Sequence, residues 1–279
     1  MADKTNTKRE ESLRVFNQAA SMYDRVGPGI FSYFGQRLVD AAEIPNGANV
    51  LDVAAGRGAL LFPAAARVGP TGHVTGIDFA PNMVCETAKE IEKRNPRNAE
   101  ISQMDAEQMN FVGSSFDYVV CGFALWMFGD SERVLKEFHR VLRAGGHVAL
   151  STWAADNPYQ TWCHDVLKPF VESPSAKDLP AKIDVRFDTP LEIKTALQQA
   201  GFENIRITVE EKDFVYADPD QYWSSLWSAG MRRRLEKMTP ELLEQAKKEV
   251  FRKLQALKQP DGFHSASRAL FAFGEKPVS

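Results

Sequence analysis

The stretch VLDVAAGRG, at residues 50–58, constrains the fold more strongly than any other part of this 279-residue chain. An apolar run at residues 50–53 passes directly into residues 54–58, where every position except Arg57 is alanine or glycine. A strand does not require such a loss of side-chain volume, and a helix is weakened by it. The pattern is typical of a strand that ends in a turn closely approached by a ligand. A tight strand–helix turn without a ligand is the alternative.

Strands and helices alternate along most of the chain. Such alternation implies right-handed crossovers and a mainly parallel sheet with helices on both faces. We therefore predict an α/β fold: a doubly wound, Rossmann-like, mainly parallel seven-stranded sheet with N-terminal helices and helical lid insertions. The predicted strands are residues 49–53, 73–78, 99–105, 115–123, 146–154, 204–216 and 265–277.

Two stretches interrupt the alternation and define the predicted organisation. Residues 154–188 are rich in proline, aromatic and polar residues and are too long for a simple connection, which favours a functional insertion such as a lid. A second, largely helical insertion follows the sixth strand. We divide the chain into an N-terminal helical cover at 1–45, a ligand-binding core at 46–153, a lid insertion at 154–188, a core helix and strand at 189–217, a helical insertion at 218–264 and a closing strand at 265–279.

Composition excludes several classes of function. The formal net charge of −3 disfavours a nucleic acid or an anionic membrane as the main partner. No apolar run approaches the roughly 20 residues of a membrane span, and the polar N-terminus does not resemble a secretory signal. Cys85, Cys121 and Cys163 are widely spaced and form no CxxC pair, and the histidines lack metal-ligand spacing. We predict a cytoplasmic protein with reduced thiols, no metal and a small-molecule partner.

Asp78 narrows the class of ligand. It ends the second predicted strand about 20 residues after the glycines, where an acid accepts hydrogen bonds from ribose hydroxyls. A dinucleotide and S-adenosylmethionine both contain such a ribose. Leu61 stands where a dinucleotide loop favours a third small residue, and Asp52 would repel a pyrophosphate but could receive a methionyl ammonium. The residues therefore favour S-adenosylmethionine.

Five motifs carry a resemblance to the class I S-adenosylmethionine-dependent methyltransferases, and within them to the small-molecule group that includes ubiquinone/menaquinone-biosynthesis-type enzymes. They are LDVAAGRG, GIDFAPNM, QMDAEQM, FDYVVCGFALWMF and EFHRVLRAGGHVALSTWA, in that order along the chain. The resemblance covers residues 16–153 and the strands near 205–215 and 266–274. Position 54 departs from many members, which have glycine where this chain has alanine.

The resemblance implies S-adenosylmethionine as cofactor and S-adenosylhomocysteine as product. It places Asp78 on the ribose hydroxyls, Phe79 and Met83 beside the adenine, and the Asp105 carboxylate near the exocyclic amine. The Ala106 N–H would lie near an adenine ring nitrogen, and Tyr23 would reach the methionyl end. The implied cofactor residues are Tyr23, Asp52, Ala54, Gly56, Gly58, Asp78, Phe79, Met83, Asp105, Ala106 and Cys121.

The loop after the fourth strand supplies the predicted acceptor wall. It contributes Phe123, Trp126 and Met127, joined by Trp153, and contains no histidine, lysine or acid. No catalytic base is assigned; His164 and His264 are the only histidines that a lid could carry to the site. A thiolate or stabilised carbanion is nucleophilic without a base, so these acceptor atoms are favoured, then nitrogen, then unactivated oxygen. The expected acceptor is a small, mostly apolar molecule, similar to a secondary metabolite or a quinone.

Three alternatives remain at this point. A non-methylating enzyme of the same fold, of pericyclase or lyase type, would share the cofactor motifs. A nicotinamide-dependent oxidoreductase is disfavoured by Leu61 and Asp52, and a binding protein without catalysis is disfavoured by the complete set of motifs. The acceptor atom, the number of methyl transfers and the oligomeric state stay open, and a monomer is compatible with the sequence.

Overall fold

The computed structural model describes residues 2–171 and 187–278, with side chains from residue 9 onward. Residues 172–186 of the predicted lid insertion therefore lie outside the described residues. Among the described residues no helix is long and apolar enough to cross a bilayer. The same residues contain no group of three or more histidine, cysteine, aspartate or glutamate side chains placed to hold a metal ion.

The described residues form one sheet that contains all seven predicted strands and one additional two-residue strand. The strands are β1 Asn49–Val53, β2 His73–Asp78, β3 Ala99–Gln103, β4 Phe116–Gly122, β5 Leu142–Trp153, β6 Glu203–Tyr216, β7 Lys258–Gln259 and β8 Gly262–Glu275. Their order is β3-β2-β1-β4-β5-β8-β6, with β7 paired to β8. Strands β1 to β5 pair in parallel, and β8 runs antiparallel to β5 and β6. The predicted α/β fold is confirmed.

The direction of winding reverses between β1 and β4. The chain moves outward from β1 through β2 to β3 and then returns to place β4 on the other side of β1. In open α/β sheets, ligands bind at such a reversal, outside the carboxyl ends of the strands. The loops after β1, β2, β3 and β4 all reach this edge.

Helices cover both faces of the sheet. They are α1 Ala2–Ala19, α2 Ile30–Ala41, α3 Leu61–Val68, α4 Pro81–Arg94, α5 Ser131–Val141, α6 Pro158–Val171, α7 Pro190–Gln199, α8 Pro219–Trp227, α9 Arg232–Leu235 and α10 Pro240–Leu254. Local signals define several ends: Asp130 caps α5 by accepting the Arg133 N–H, and Thr189 accepts the Glu192 N–H at the start of α7. Gly201, at φ +93°, follows the end of α7.

The core has two halves, one on each side of the sheet. Val50 of β1 packs in the half that contains Phe34 of α2, whereas its neighbours Leu51 and Val53 pack in the half that contains Phe138 of α5. All five side chains are fully buried. Because successive strand residues point to opposite faces, an apolar strand without polar alternation is what a doubly covered sheet requires.

Charged residues at 233–237 tie the helical insertion to the N-terminal helix. Arg14 pairs with Glu236 at 2.6 Å, and Lys237 pairs with Glu11 at 3.0 Å. Arg233 lies 3.6 Å from the same Glu11 carboxylate. These side chains thus join α1 to the segment after α8.

The aromatic residues of the insertions pack against one another. The Tyr222 side chain is fully buried, and its hydroxyl lies 3.5 Å from Cys163 Sγ. The Trp162 ring lies edge-on to the Tyr222 ring, with 5.3 Å between their centroids. Trp223 is also buried. This group packs α6 of the lid insertion against α8 of the helical insertion, the packing role that long insertions require.

Candidate active site

A cleft opens at the carboxyl ends of β1 to β4, beneath α1. It encloses about 840 Å³ of empty space, including its open mouth. Its walls come from four strand-end loops and from one face of α1. The lining residues are Arg9, Ser12, Leu13, Phe16, Tyr23, Ala54, Gly56, Ile77, Asp78, Phe79, Ala80, Met83, Met104, Asp105, Ala106, Glu107, Gly122, Phe123, Ala124, Met127, Phe128 and Gly129.

The glycine loop after β1 forms the floor of the cleft. Ala54 and Gly56 line it, with φ values of +56° and +51°. Both backbone polar groups of Gly56 are hydrogen-bonded. The N–H donates to Asp78 Oδ2 at 2.8 Å, and the carbonyl accepts from Thr87 Oγ1 at 2.6 Å. Gly58 lies outside the walls. A Cβ there would come within 2.5 Å of the Phe62 ring, so this glycine permits close packing of α3 on the loop.

Asp78 connects the glycine loop to the next strand-end loop. Its Oδ1 accepts the Ala80 N–H at 2.8 Å, while Oδ2 accepts from Gly56. Burial raises the pKa of the Asp78 carboxyl, and the N–H groups of Ala80, Gly56 and Phe79 oppose that rise. A carboxylate that is held by backbone donors and faces a cleft is suited to accept hydroxyl hydrogen bonds.

Phe79, Met83, Asp105 and Ala106 line the same end of the cleft. Asp105 Oδ1 accepts the Glu107 N–H at 3.0 Å. The Glu107 carboxylate in turn accepts the N–H groups of Gly129 and Asp130, at 2.9 and 3.2 Å. Glu107 thereby joins the loop after β3 to the loop after β4 across the cleft.

Asp52 lies behind the cleft. Its side chain is fully buried, and neither carboxylate oxygen has a hydrogen-bond partner among the described residues. Burial raises the pKa of Asp52 well above its usual value, the charge of Asp78 raises it further, and the approach of the Leu61 N–H lowers it without completing a hydrogen bond. Asp52 thus holds its proton beneath the glycine loop more tightly than an exposed aspartate would, and it is not one of the cleft walls.

Three further residues predicted for the site also lie outside its walls. Cys121 is buried in the core half that faces α5, and the adjacent Gly122 lines the cleft instead. Trp153 packs on Phe123 with 4.2 Å between ring centroids, and Trp126 contacts Phe123 edge-on at 6.4 Å. The two tryptophans support Phe123, which does line the cleft. Sequence alone places a residue at the end of a strand but does not determine which face its side chain occupies.

Tyr23 lines the cleft next to the glycine loop, 3.8 Å from the position of a Cβ on Gly56. Its ring stacks on Phe31 at 4.9 Å between centroids. The neighbouring Asp24 carboxylate accepts the N–H groups of Phe31 and Ser32 at 3.0 and 2.7 Å, which caps α2 and holds the turn that carries Tyr23. Burial raises the pKa of the Tyr23 phenol, and Asp24 and Asp78 raise it further.

The face of α1 is the part of the site that sequence reasoning missed. Arg9, Ser12, Leu13 and Phe16 line the cleft and follow the i, i+3, i+4, i+7 spacing of one helical face. That spacing was visible in the sequence. It was insufficient on its own because only Leu13 and Phe16 are apolar, while Arg9 and Ser12 in the preceding turn are polar.

The two candidate histidines lie away from the cleft. His164 is on α6 and lies 3.4 Å from the neighbouring Asp165. His264 lies between two carboxylates, 2.5 Å from Asp213 and 2.8 Å from Asp261. Both interactions explain these side chains without a catalytic role.

The cleft suits a nucleoside that carries a positive charge. Asp78 and Asp105 offer carboxylate acceptors and negative charge, and Phe79 and Met83 offer apolar surface for a base. A pyrophosphate would be repelled by this set of acids. Fold and site together thus define a doubly wound, nucleoside-binding enzyme whose cofactor is cationic.

Comparison with known proteins gives the family. Residues 50–146 match the model of the methyltransferase domain. Over 252 residues the chain is 30% identical to the nocamycin O-methyltransferase of Saccharothrix syringae, covering 87% of this chain and 90% of that protein. The chain belongs to the class I S-adenosylmethionine-dependent methyltransferases of small-molecule type, and S-adenosylmethionine is its cofactor.

Other relatives match mainly over the core. The chain is 40% identical to the aklanonic acid methyltransferase DauC of a Streptomyces species over 144 residues, 52% of this chain and 66% of that one. It is 34% identical to the demethylmenaquinone methyltransferase of Listeria welshimeri over 150 residues, 52% of this chain and 63% of that one. The chain thus matches slightly less than two thirds of the length of these two relatives.

Solved structures agree on the fold. The YcgJ protein of Bacillus subtilis has a TM-score of 0.60 at 18% identity, covering 88% of this chain and all of that one. The [4+2]-cyclase SpnF has a TM-score of 0.55 at 17% identity, covering 89% of this chain and 81% of that one. At such identities the likeness concerns the fold alone.

Proposed function

We propose that this protein transfers a methyl group to a small, mostly apolar acceptor whose nucleophilic atom is already ionised or strongly nucleophilic at neutral pH. The cofactor, when bound, supplies a methyl group activated by its sulfonium. Asp78 would accept hydrogen bonds from the ribose hydroxyls, and Phe79 and Met83 would flank the adenine. The Asp105 carboxylate and the Ala106 N–H would form hydrogen bonds with the polar edge of the adenine. The acceptor would enter beside Phe123 and Met127.

The observation that carries this proposal is the absence of a free base among the described lining residues. These residues include no histidine or lysine. Each lining carboxylate already accepts a hydrogen bond: Asp78 from Gly56 and Ala80, Asp105 from Arg9 and Glu107, and Glu107 from two loop N–H groups. Carboxylates, with an ordinary pKa near 4, are weak bases toward a hydroxyl with a pKa near 10, so such an acceptor would find no matched base among these lining residues.

Tyr23 does not supply that base. Burial and two nearby carboxylates raise the pKa of its phenol, so the hydroxyl stays protonated at neutral pH and can only orient a ligand by hydrogen bonding. The chain's own contribution is then alignment and exclusion of water, which suffice for displacement at an activated methyl. In that displacement the acceptor lone pair forms the new bond to carbon as the carbon–sulfur bond breaks toward sulfur.

The acceptor atom remains open within this class. The sequence favours a thiolate or a stabilised carbanion as the acceptor atom. Similarity to the nocamycin O-methyltransferase makes oxygen a further candidate. We infer that an oxygen acceptor here would belong to an acid, such as a carboxylate or an enol, because such a group ionises without help. The non-methylating alternative is supported only by likeness of fold to a cyclase and is not proposed.

A panel of acceptors tests the proposal. Pure protein with labelled S-adenosylmethionine would be offered aromatic carboxylic acids, β-dicarbonyl compounds, thiols, quinols and simple phenols of matched size. We expect turnover on ionised acceptors, with a pH dependence that follows the pKa of the acceptor. Turnover confined to phenols with a pKa near 10, at a rate that follows a protein group, would contradict the proposal.

A further inference from the structure

Arg9 is the only basic side chain among the described residues that line the cleft. It projects from α1 together with Ser12, Leu13 and Phe16, so the helix presents a cation and an apolar surface to the same space. The Arg9 guanidinium carbon lies 4.3 Å from the centroid of the Phe79 ring, and Nη2 lies 2.5 Å from Asp105 Oδ2. A planar guanidinium stacks on aromatic faces and pairs with carboxylates, and here it does both.

These two partners are the side chains proposed to hold the adenine. Adenine would stack beside Phe79 and donate its exocyclic amine to Asp105, which are the same two kinds of contact that Arg9 makes. Each oxygen of the Asp105 carboxylate already accepts one hydrogen bond. Asp105 Oδ1 accepts the Glu107 N–H at 3.0 Å, so Oδ2, the oxygen that remains for the amine, is the one bound to Arg9.

We propose that Arg9 closes the adenine end of the cleft and competes with adenine for Phe79 and Asp105 Oδ2. This inference rests on the proposed cofactor residues. Arg9 would have to release both partners before the base can bind, so it would act as a gate that lowers cofactor affinity. Phe79 and Asp105 would then contact either Arg9 or the adenine, but not both at once.

The surrounding contacts allow the Arg9 side chain to move while α1 stays docked. The helix is held by Arg14 and Glu11, which pair with Glu236 and Lys237 at 2.6 and 3.0 Å. Farther along, Asn17 Oδ1 accepts the Asn82 N–H at 3.0 Å. None of these contacts involves Arg9. The Arg9 and Asp105 side chains are 35% and 29% exposed, so water can replace their contact as it opens.

Calorimetric titration with S-adenosylhomocysteine tests the gate without measuring activity. The variants are Arg9→Met, which keeps an apolar side chain without the charge, and Arg206→Met as the control. Arg206 also lies over an aromatic ring, that of Phe273 at 3.9 Å, but outside the cleft walls. We expect Arg9→Met to bind about 3- to 10-fold more tightly than the wild type, the range that a part-exposed ion pair with a cation–π contact supports. Arg206→Met should bind as the wild type does.

A double-mutant cycle assigns the effect to Asp105. In an Asp105→Asn background, Arg9→Met should lose most of its gain, because the shared partner is altered. Weaker binding by Arg9→Met would show that Arg9 retains the cofactor and would overturn the gate, as would equal affinity of all variants. If neither the wild type nor any variant binds S-adenosylhomocysteine, the proposed function fails together with the gate.

Discussion

The Gly56 N–H donates to Asp78 Oδ2 at 2.8 Å, so the glycine loop after β1 and the acid at the end of β2 form one hydrogen-bonded unit. The two residues are 22 positions apart in the chain. Asp78 therefore has a structural role in shaping the loop in addition to its proposed contact with the ribose. The two roles can be separated by measuring stability and ligand affinity on the same variants.

Asp78→Asn should impair both roles. An amide oxygen can accept only one of the two N–H groups that the carboxylate now accepts, which leaves a buried donor unpaired at a cost of about 1–3 kcal/mol. S-Adenosylhomocysteine affinity should fall by about 10- to 100-fold, because charge-assisted bonds to the ribose are lost. Denaturant unfolding and calorimetry measure the two effects. Asp130→Asn, which keeps a good helix cap on α5, is the control and should change neither quantity appreciably.

Thr87→Val should weaken ligand binding from beneath the loop. Thr87 is fully buried on α4, and its hydroxyl donates to the Gly56 carbonyl at 2.6 Å. Valine keeps the shape of the side chain but leaves that carbonyl without its donor, at a cost of about 1–2 kcal/mol. Thr87→Ser keeps the hydroxyl and should retain wild-type S-adenosylhomocysteine affinity. Equal loss of affinity in both variants would refute a role for this hydrogen bond.

Ala54→Gly should be tolerated or mildly stabilising. Ala54 has a φ of +56°, a left-handed conformation that costs an alanine about 1–2 kcal/mol relative to glycine. The greater freedom of glycine in the unfolded chain opposes this gain by about 0.4–1 kcal/mol. The free energy of unfolding is therefore expected to change by about 0 to +1.6 kcal/mol. The control is Ala66→Gly on the exposed face of α3, which should lose about 1 kcal/mol. Similar losses in the two variants would contradict strain at position 54.

Asp52→Asn should stabilise the protein, and more so at higher pH. Burial raises the pKa of Asp52 well above its unfolded value, so the folded state holds this proton more tightly than the unfolded chain does. The free energy of unfolding of the wild type therefore falls as pH rises from about 4 through the pKa of Asp52 in the folded state. Asparagine cannot ionise and escapes that loss. Melting curves of variant and wild type should separate as pH rises from 4 to 8 and converge toward pH 4.

The exposed Asp220 provides the control for this pH dependence. It pairs with Lys247 at 3.0 Å on the surface, and its side chain is 72% exposed. Asp220→Asn should change the melting temperature little at any pH. A gap between Asp52→Asn and the wild type that is constant with pH would show that charge burial is not the cause.

Much of the lining of the candidate cleft was predictable from local sequence. Gly56, Asp78, Phe79 and Met83 all line the cleft, because each lies at the carboxyl end of a strand, in the loop after it or in the first turn of the following helix. The topology of parallel strands brings those positions to one edge. Cys121, by contrast, lies in a strand whose residues alternate between two buried faces, and an apolar strand does not reveal which face borders a ligand.

The sequence by itself determined the α/β order of elements, the turn at the glycine loop and the class of cofactor, because these depend on residues close together in the chain. Only the tertiary structure decided what lies opposite that loop. There Arg9 of α1 pairs with Asp105, and Arg233 lies near Glu11 of α1. Such contacts join side chains tens to hundreds of positions apart, and their energies depend on distance and burial, which no local pattern encodes.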